Sequence, residues 1–394
     1  MKKMKGAFIL LIAAVIVSGF LFTLHVTSKR SSIKKVRSSI EELQKSTQVT
    51  VGGDMETISN LRELFPPEGA VTEYIENAFK SRGCEIFFFD NRRFLVPDII
   101  RKKISYLNKL DLMRINNHLI SVAKSFMPDL FLEAGGYRIL AQTVHKIKNL
   151  GIKTALWTID APRDFEPVIN SASVYDYVFT GGSEAYDILK ETEVNKLYFL
   201  PFACDPDVHK PQRLTKEEKR LYSCDIAFVG TVDPDLYPLR VKILEAISDF
   251  NLGIWGPGVE KISSSSPLKQ KIRGSMTTPE IWTKIYSQAK IVLCIHFKDP
   301  DGKIQCHQAS PRVYEAMACG AFLMVDSQKD VKSLFKDHEE LVVFMDADEL
   351  KKLLSYYLNR PEKRIAIAAL GRKKVLEKHT YKHRIKEILK VVSQ

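Results

Sequence analysis

Residues 290–326 read KIVLCIHF, KDPDGKIQCHQA, SPRVYEAMACG and AFLMVD in succession. Two apolar runs of strand length flank a segment that opens with Ser310-Pro311 and continues at helical spacing. Serine ahead of proline marks a helix start, because the hydroxyl can cap and proline suits the first helical position. Strand, helix and strand in that order predict a parallel α/β unit. The pattern recurs on both sides, in CDIAFVG (224–230), NLGIWG (251–256) and ELVVFMD (340–346), each separated from the next by a helix-length segment. Helical patterns over 347–358, 361–378 and 381–392 complete this half.

Upstream the scheme repeats. The expected strands are QVTV (48–51), EIFFFD (85–90), DLFLEA (129–134), KTALWTID (153–160), YDYVFTGG (175–182) and KLYFLPFA (196–203). Helices are expected over 71–82 and, as one longer segment, over 97–127, which also carries a row of Lys and Arg. That basic row reads either as a solvated face or as a surface lying against anionic lipid. A linker rich in proline and charge, CDPDVHKPQRLTKEEKR (204–220), divides the halves. The fold class is therefore α/β, with two Rossmann-like domains whose parallel sheets face across a cleft. Ligands in such sheets bind at the carboxyl ends of the strands.

Residues 6–24 (GAFILLIAAVIVSGFLFTL) contain no charge. At ~1.5 Å per residue they make about 28 Å of helix, close to the thickness of a bilayer core. They are expected to form an uncleaved single-pass anchor (domain 1–28) followed by a polar stalk (29–47). The heavier basic cluster on the C-terminal side favours a cytoplasmic globular part. The chain has 394 residues, 45% of them apolar and 27% charged, which excludes a mainly disordered protein. Its net charge of +12 suits phosphate-bearing ligands or anionic lipid. The six cysteines are scattered with no C-x-x-C pair, so no zinc site or disulfide framework is expected.

Three places carry candidate chemistry. Arg312 and Glu315 lie three apart on the first turns of the helix begun by Ser310-Pro311, where exposed N–H groups and the dipole favour phosphate. Arg312 adds a bidentate anion contact, and Glu315 suits ribose hydroxyls; the plain alternative is an Arg–Glu surface pair. In Phe228-Val229-Gly230-Thr231 a strand runs into a glycine that lets backbone approach a ligand, with Gly52-Gly53 in the matching place of the first half. Asp160 lies just past an apolar strand, where a general base belongs, and Glu133 is its rival. No G-x-G-x-x-G or Walker loop occurs there, which disfavours dinucleotide oxidoreductases and P-loop NTPases. The D-x-D triplets at 205–207, 233–235 and 346–348 read as turns and caps. The isolated histidines have no metal-ligand spacing, so no metal is expected.

The stretches LYFLPFACDPDVHKP (197–211), YSCDIAFVGT (222–231), LGIWGPG (252–258), IYSQAKIVLCIH (285–296) and SPRVYEAMACGAFLMVD (310–326) resemble the CgeB-like (spore maturation) glycosyltransferase family. That family is related to the group-1 glycosyl transferases with the two-domain GT-B fold. The resemblance covers about 48–392. It implies a nucleotide diphosphate-sugar donor held mainly by the C-terminal domain, an acceptor held mainly by the N-terminal one, and neither metal nor cofactor. In the group-1 enzymes a Glu, seven residues and a second Glu mark the donor site. Glu315 matches the second, whereas His307 stands at the first, a departure from the pattern. Arg312 matches the family's arginine, and Asp160 falls where the family has an acidic residue.

The expected division is thus a 48–203 acceptor domain, a 204–380 nucleotide-sugar domain, and a 381–394 helix that crosses back. Gly230, Thr231, Arg240, His307, Ser310, Arg312 and Glu315 are expected at the donor, Asp160 or Glu133 at catalysis, and Gly52 and Gly53 in an N-domain loop. The expected partners are the donor, a glycan, lipid or protein acceptor, and membrane through 6–24, with no nucleic acid. The alternatives are an exported two-lobed solute-binding protein, a non-catalytic sugar-nucleotide binder, and a stalked enzyme of a Golgi-type lumen.

Overall fold

The computed structural model describes residues 70–159, 165–275 and 278–394. The anchor, the stalk, QVTV, Gly52, Gly53 and Asp160 lie outside the described residues. Among the described residues no helix is long and apolar enough to cross a membrane.

Two all-parallel sheets organise the chain. The first has the order β1-β2-β3-β4, formed by Leu130–Ala134, Lys153–Thr158, Tyr177–Thr180 and Leu197–Phe199. The second has the order β10-β9-β8-β5-β6-β7. Its strands are β5 Ile226–Val229, β6 Leu252–Trp255, β7 Ile272–Gly274, β8 Ile291–Cys294, β9 Leu323–Asp326 and β10 Val342–Phe344. The chain runs outward from β5 through β6 to β7, then returns to the other side of β5 with β8. The direction of winding therefore reverses between β5 and β8, and a crevice opens past their carboxyl ends.

Near-continuous apolar strands are what a sheet covered on both faces requires. In the first lobe Leu156 and Val178 face the helices Ser105–Phe126, Ala141–Lys148, Glu166–Ala172 and Ser183–Lys190. Ala155, Trp157 and Phe179 face the opposite way, against Tyr74 and Ile75 of helix Ala70–Lys80 and against Tyr381, Ile385 and Ile388 of helix Tyr381–Val392. In the second lobe Ala227, Cys294 and Val325 meet helices Pro279–Gln288 and Pro311–Ala318. Phe228, Leu293 and Met324 meet helices Pro238–Ala246 and Ala347–Leu358.

The final helix belongs to the first lobe, although Pro361–Lys378 just before it packs on the second. At the crossing Cys204 pairs with Thr380 in a parallel bridge. Cys204 N–H donates to His379 O and Tyr381 N–H to Cys204 O, both at 2.9 Å. The buried Arg384 guanidinium donates to the carbonyls of Pro201 at 2.7 Å and Phe202 at 2.9 Å. Both passages of chain between the lobes are thus hydrogen-bonded side by side.

Three readings of the sequence need correction. EIFFFD forms no strand: Asp90 accepts from Arg92 N and Nε, both at 3.0 Å, which turns the chain, and Phe87 and Phe88 stay exposed. The long helix breaks at Ile104, whose φ of −122° and ψ of 90° separate Asp98–Lys103 from Ser105–Phe126. Strand β7, with one apolar side chain in three residues, carried no recognisable pattern.

Candidate functional site

β5 ends in Gly230, whose φ of +158° brings the chain round against β6. A Cβ on Gly230 would lie 2.3 Å from Nη1 of Arg312, and one on Gly256 would lie 2.2 Å from the carbonyl oxygen of Gly230. Both glycines are therefore demanded by close approach. The space one side chain would fill is occupied by a guanidinium.

Arg240 converges on the same turn from helix Pro238–Ala246. Its Nη1 donates to Thr231 O at 2.8 Å, and the guanidinium lies 3.9 Å from the Tyr237 ring centroid. It is buried, and burial together with the neighbouring Arg312 charge lowers its pKa to about 10. Nε of Arg240 and Nε of Arg312 are both buried without a hydrogen-bond partner among the described residues. Two cations that repel one another and keep donors unspent make a site for a polyanion.

Ser310 occupies the N-cap position, yet its side chain makes no cap bond. The hydroxyl instead lies 3.3 Å from Cys294 Sγ, which corrects the capping expectation and leaves the helix start without a side-chain cap. The backbone there is fixed from below. Ser310 N–H donates to His296 Nε2 at 3.0 Å, while His296 Nδ1 lies 2.7 Å from Asp326 Oδ1. Nε2 is therefore an acceptor and the ring carries its proton on Nδ1, although the Cys294 and Asp326 charges oppose burial and favour the imidazolium. His296 and Asp326 were not singled out as site residues from sequence; the strand-end carboxylate of GAFLMVD was the available signal.

Glu315 is 6% exposed and forms no ion pair with Arg312, so the surface-pair alternative fails. Among the described residues its ion-pair neighbour is His209 Nε2, at 3.9 Å, too far for a hydrogen bond. His209 Nδ1 accepts from Asp205 N at 3.0 Å, so Nε2 carries the proton and has no partner of its own. Burial raises the Glu315 pKa to about 7. Arg312 and Glu315 thus share a helix turn without a close ion pair, although the Arg312 charge offsets part of the rise that burial causes at Glu315.

The lobes meet at the carboxyl end of β3. Ser183 N–H donates to Asp330 Oδ2 at 2.9 Å, and Ser183 Oγ lies 3.3 Å from His307 Nδ1. His307 N–H donates to Glu184 Oε2 at 3.1 Å, and Glu184 Oε1 is buried without a partner among the described residues. Burial, augmented by Asp330, raises the Glu184 pKa to about 7. A wide-mouthed pocket of about 490 Å³ beside this contact is lined by Phe297, Lys298, Ile304, His307 and Gln328 from the loops after β8 and β9, and by Lys332 of helix Lys329–Leu334. His307 therefore both lines the cavity and joins the lobes. Glu184 and Asp330 were not anticipated.

Glu133 is buried, and burial raises its pKa to about 7. It lies on the helix-covered face, where Tyr175 donates its hydroxyl to Oε2 beside the backbone of Gly136, Arg138 and Ile139. Thr231 contributes its carbonyl to Arg240. Asp205, Asp233 and Asp346 each accept backbone N–H groups two or three residues on, as turns and caps do. Among the described residues no three His, Cys, Asp or Glu side chains converge as metal ligands do.

Two Rossmann-like lobes, the second with two arginines gathered past the carboxyl ends of its sheet, are the arrangement of the GT-B fold. Residues 240–390 match the family described as glycosyl transferase-like. The spore protein CgeB of Bacillus subtilis (strain 168) is 21% identical over 269 residues, spanning 66% of this chain and 81% of that protein. Among solved structures, the sucrose-phosphate synthase of Thermosynechococcus elongatus superposes with a TM-score of 0.56 at 11% identity, over 72% of this chain and 78% of its own. The Anabaena protein HepE, in complex with UDP and glucose, gives 0.55 at 10% identity, over 81% and 88%. The chain is thus similar to CgeB and, over residues 240–390, to the glycosyl transferase-like family, and its fold is that of the GT-B structures it superposes on.

Proposed function

We propose that the protein transfers a sugar, of hexose type, from a nucleoside diphosphate donor to an acceptor hydroxyl without a metal ion. One observation carries this reading. Two arginines with unspent buried donors converge on a glycine turn beside a helix start that has no side-chain cap. Arg240, Arg312 and the first-turn N–H groups would hold the diphosphate and neutralise the charge that grows on it as the glycosidic bond breaks. Glu315 would accept from the ribose hydroxyls, and the cavity beside Phe297 and His307 would take the sugar. Asp160 remains the proposed base on the first lobe. The HepE complex with UDP supports a uridine nucleotide as the first to try.

The test is calorimetric titration of nucleoside diphosphates in the presence of EDTA, followed by assays of donor hydrolysis and transfer. Micromolar binding that Arg312→Ala removes is the expected result. A protein that binds no nucleoside diphosphate, or binds it equally well without Arg312, defeats the reading. Binding without hydrolysis or transfer would leave a sugar-nucleotide binder rather than an enzyme.

A further inference from the structure

Outside the crevice, the first lobe displays apolar side chains where a folded surface ordinarily hides them. On helix Ser105–Phe126 the residues Tyr106, Leu110 and Met113 follow one another four and three apart, forming one exposed stripe. Leu95 and Ile99 on the preceding segment are each 74% exposed, and Tyr106 is 67% exposed. The loop that carries Leu95 is held by a satisfied polar clamp. The buried Asp111 carboxylate accepts from Leu95 N at 2.7 Å, Val96 N at 2.9 Å and Arg114 Nε at 3.0 Å, while Arg114 also donates to Arg93 O. The loop that presents Leu95 is thus tied by its backbone, with its side chain left in water.

The charge around the stripe is one-sided. Residues 90–114 contain seven Lys or Arg against three Asp, of which Asp90 pairs with Arg92 and Arg93 and the inward-facing Asp111 with Arg114. Lys103 and Lys109 are exposed and have no ion-pair partner among the described residues. Exposed apolar side chains beside two exposed lysines match an interface that is negative at its surface and hydrocarbon just beneath.

We propose that this face docks on a bilayer bearing anionic headgroups, with Tyr106, Leu110 and Met113 entering the acyl boundary and Lys103 and Lys109 at the headgroups. The inference does not depend on the sugar-transfer reading.

Hydrogen–deuterium exchange of the full chain tests it, read on peptides covering 95–113. The vesicles are phosphatidylcholine alone, or phosphatidylcholine with an equal share of phosphatidylglycerol. The expected result is slowed exchange of these peptides with the anionic vesicles and none with the neutral ones. Replacing both lysines, Lys103→Gln with Lys109→Gln, raises the anionic lipid needed for half-maximal protection about 30-fold, at roughly tenfold per 1.4 kcal/mol and about 1 kcal/mol per basic side chain. Changing Tyr106, Leu110 and Met113 together to Ser abolishes the protection, with an unchanged cooperative denaturant unfolding transition serving as the check on folding. Protection without lipid that falls on dilution of the protein would reveal a second copy on the face, and would overturn the proposal. Equal protection by neutral vesicles, absence of protection by anionic ones, or indifference to the lysine pair would also overturn it.

Discussion

Two helices of eight residues begin at the carboxyl ends of the two sheets, Ser183–Lys190 after β3 and Pro311–Ala318 in the crevice past β5 and β8. The first start is occupied. Asp330 of the other lobe supplies the anion to Ser183 N–H, and the Glu184 carboxylate folds back to within 2.5 Å of where a Cβ on Gly182 would sit. The second start has no side-chain cap and is flanked by Arg240 and Arg312, with no carboxylate supplied by the protein to its N–H groups among the described residues. A helix start attracts negative charge wherever it lies. What separates a structural contact from a ligand site is whether the protein has provided that charge itself.

The sharpest way to break the contrast is Arg312→Ala. Loss of a charge-assisted contact to phosphate should weaken nucleoside diphosphate binding about 100-fold by calorimetry, the upper end for such bonds. Gly230→Ala tests the same place without altering charge. Its methyl would lie 2.3 Å from Nη1 of Arg312 and displace it, for a loss of roughly tenfold. Glu315 sharpens the comparison through pH. Its pKa of about 7 means that the ionised acceptor appears as pH climbs through neutrality, so nucleotide affinity should rise across that range. Glu315→Gln should bind about fivefold more weakly at pH 8 and lose the pH dependence, as calorimetry at several pH values would show.

At the occupied start the expectation reverses. Asp330→Ala should leave nucleotide affinity within about twofold, yet lower stability by about 1–3 kcal/mol in denaturant unfolding, because Ser183 N–H loses its acceptor. Glu184 adds a pH signature. With a folded pKa of about 7 it keeps its proton where the unfolded chain has lost it, so stability falls as pH rises from the ordinary glutamate range to about 7. Removing Asp330 relieves part of that shift and should make the fall shallower.

The second lobe was readable because its strands are unbroken apolar runs closed by glycine or aspartate. Those runs became β5, β6, β8, β9 and β10 with their intervening helices. EIFFFD looked equally apolar and failed, since composition cannot report that Asp90 turns the chain before a ladder forms. Arg312 and Glu315 were accessible through helical spacing, and Gly230 through its strand-end position. The role of Ser310 was misread: a hydroxyl at an N-cap position can find another partner, and here Cys294, sixteen residues earlier, lies beside it. The contact between Ser183 and Asp330 joins residues 147 apart in sequence, and no local pattern announces it.

The last helix carries a consequence for how the molecule comes into being. Tyr381, Ile385 and Ile388 seal a face of the first sheet, yet they follow the whole of the second lobe in sequence. A ribosome therefore releases the first lobe's four strands long before their cover exists, while the second lobe has every layer it needs by residue 378. The half that is synthesised first is the half completed last, and Trp157 waits for a partner that translation delivers 224 residues later.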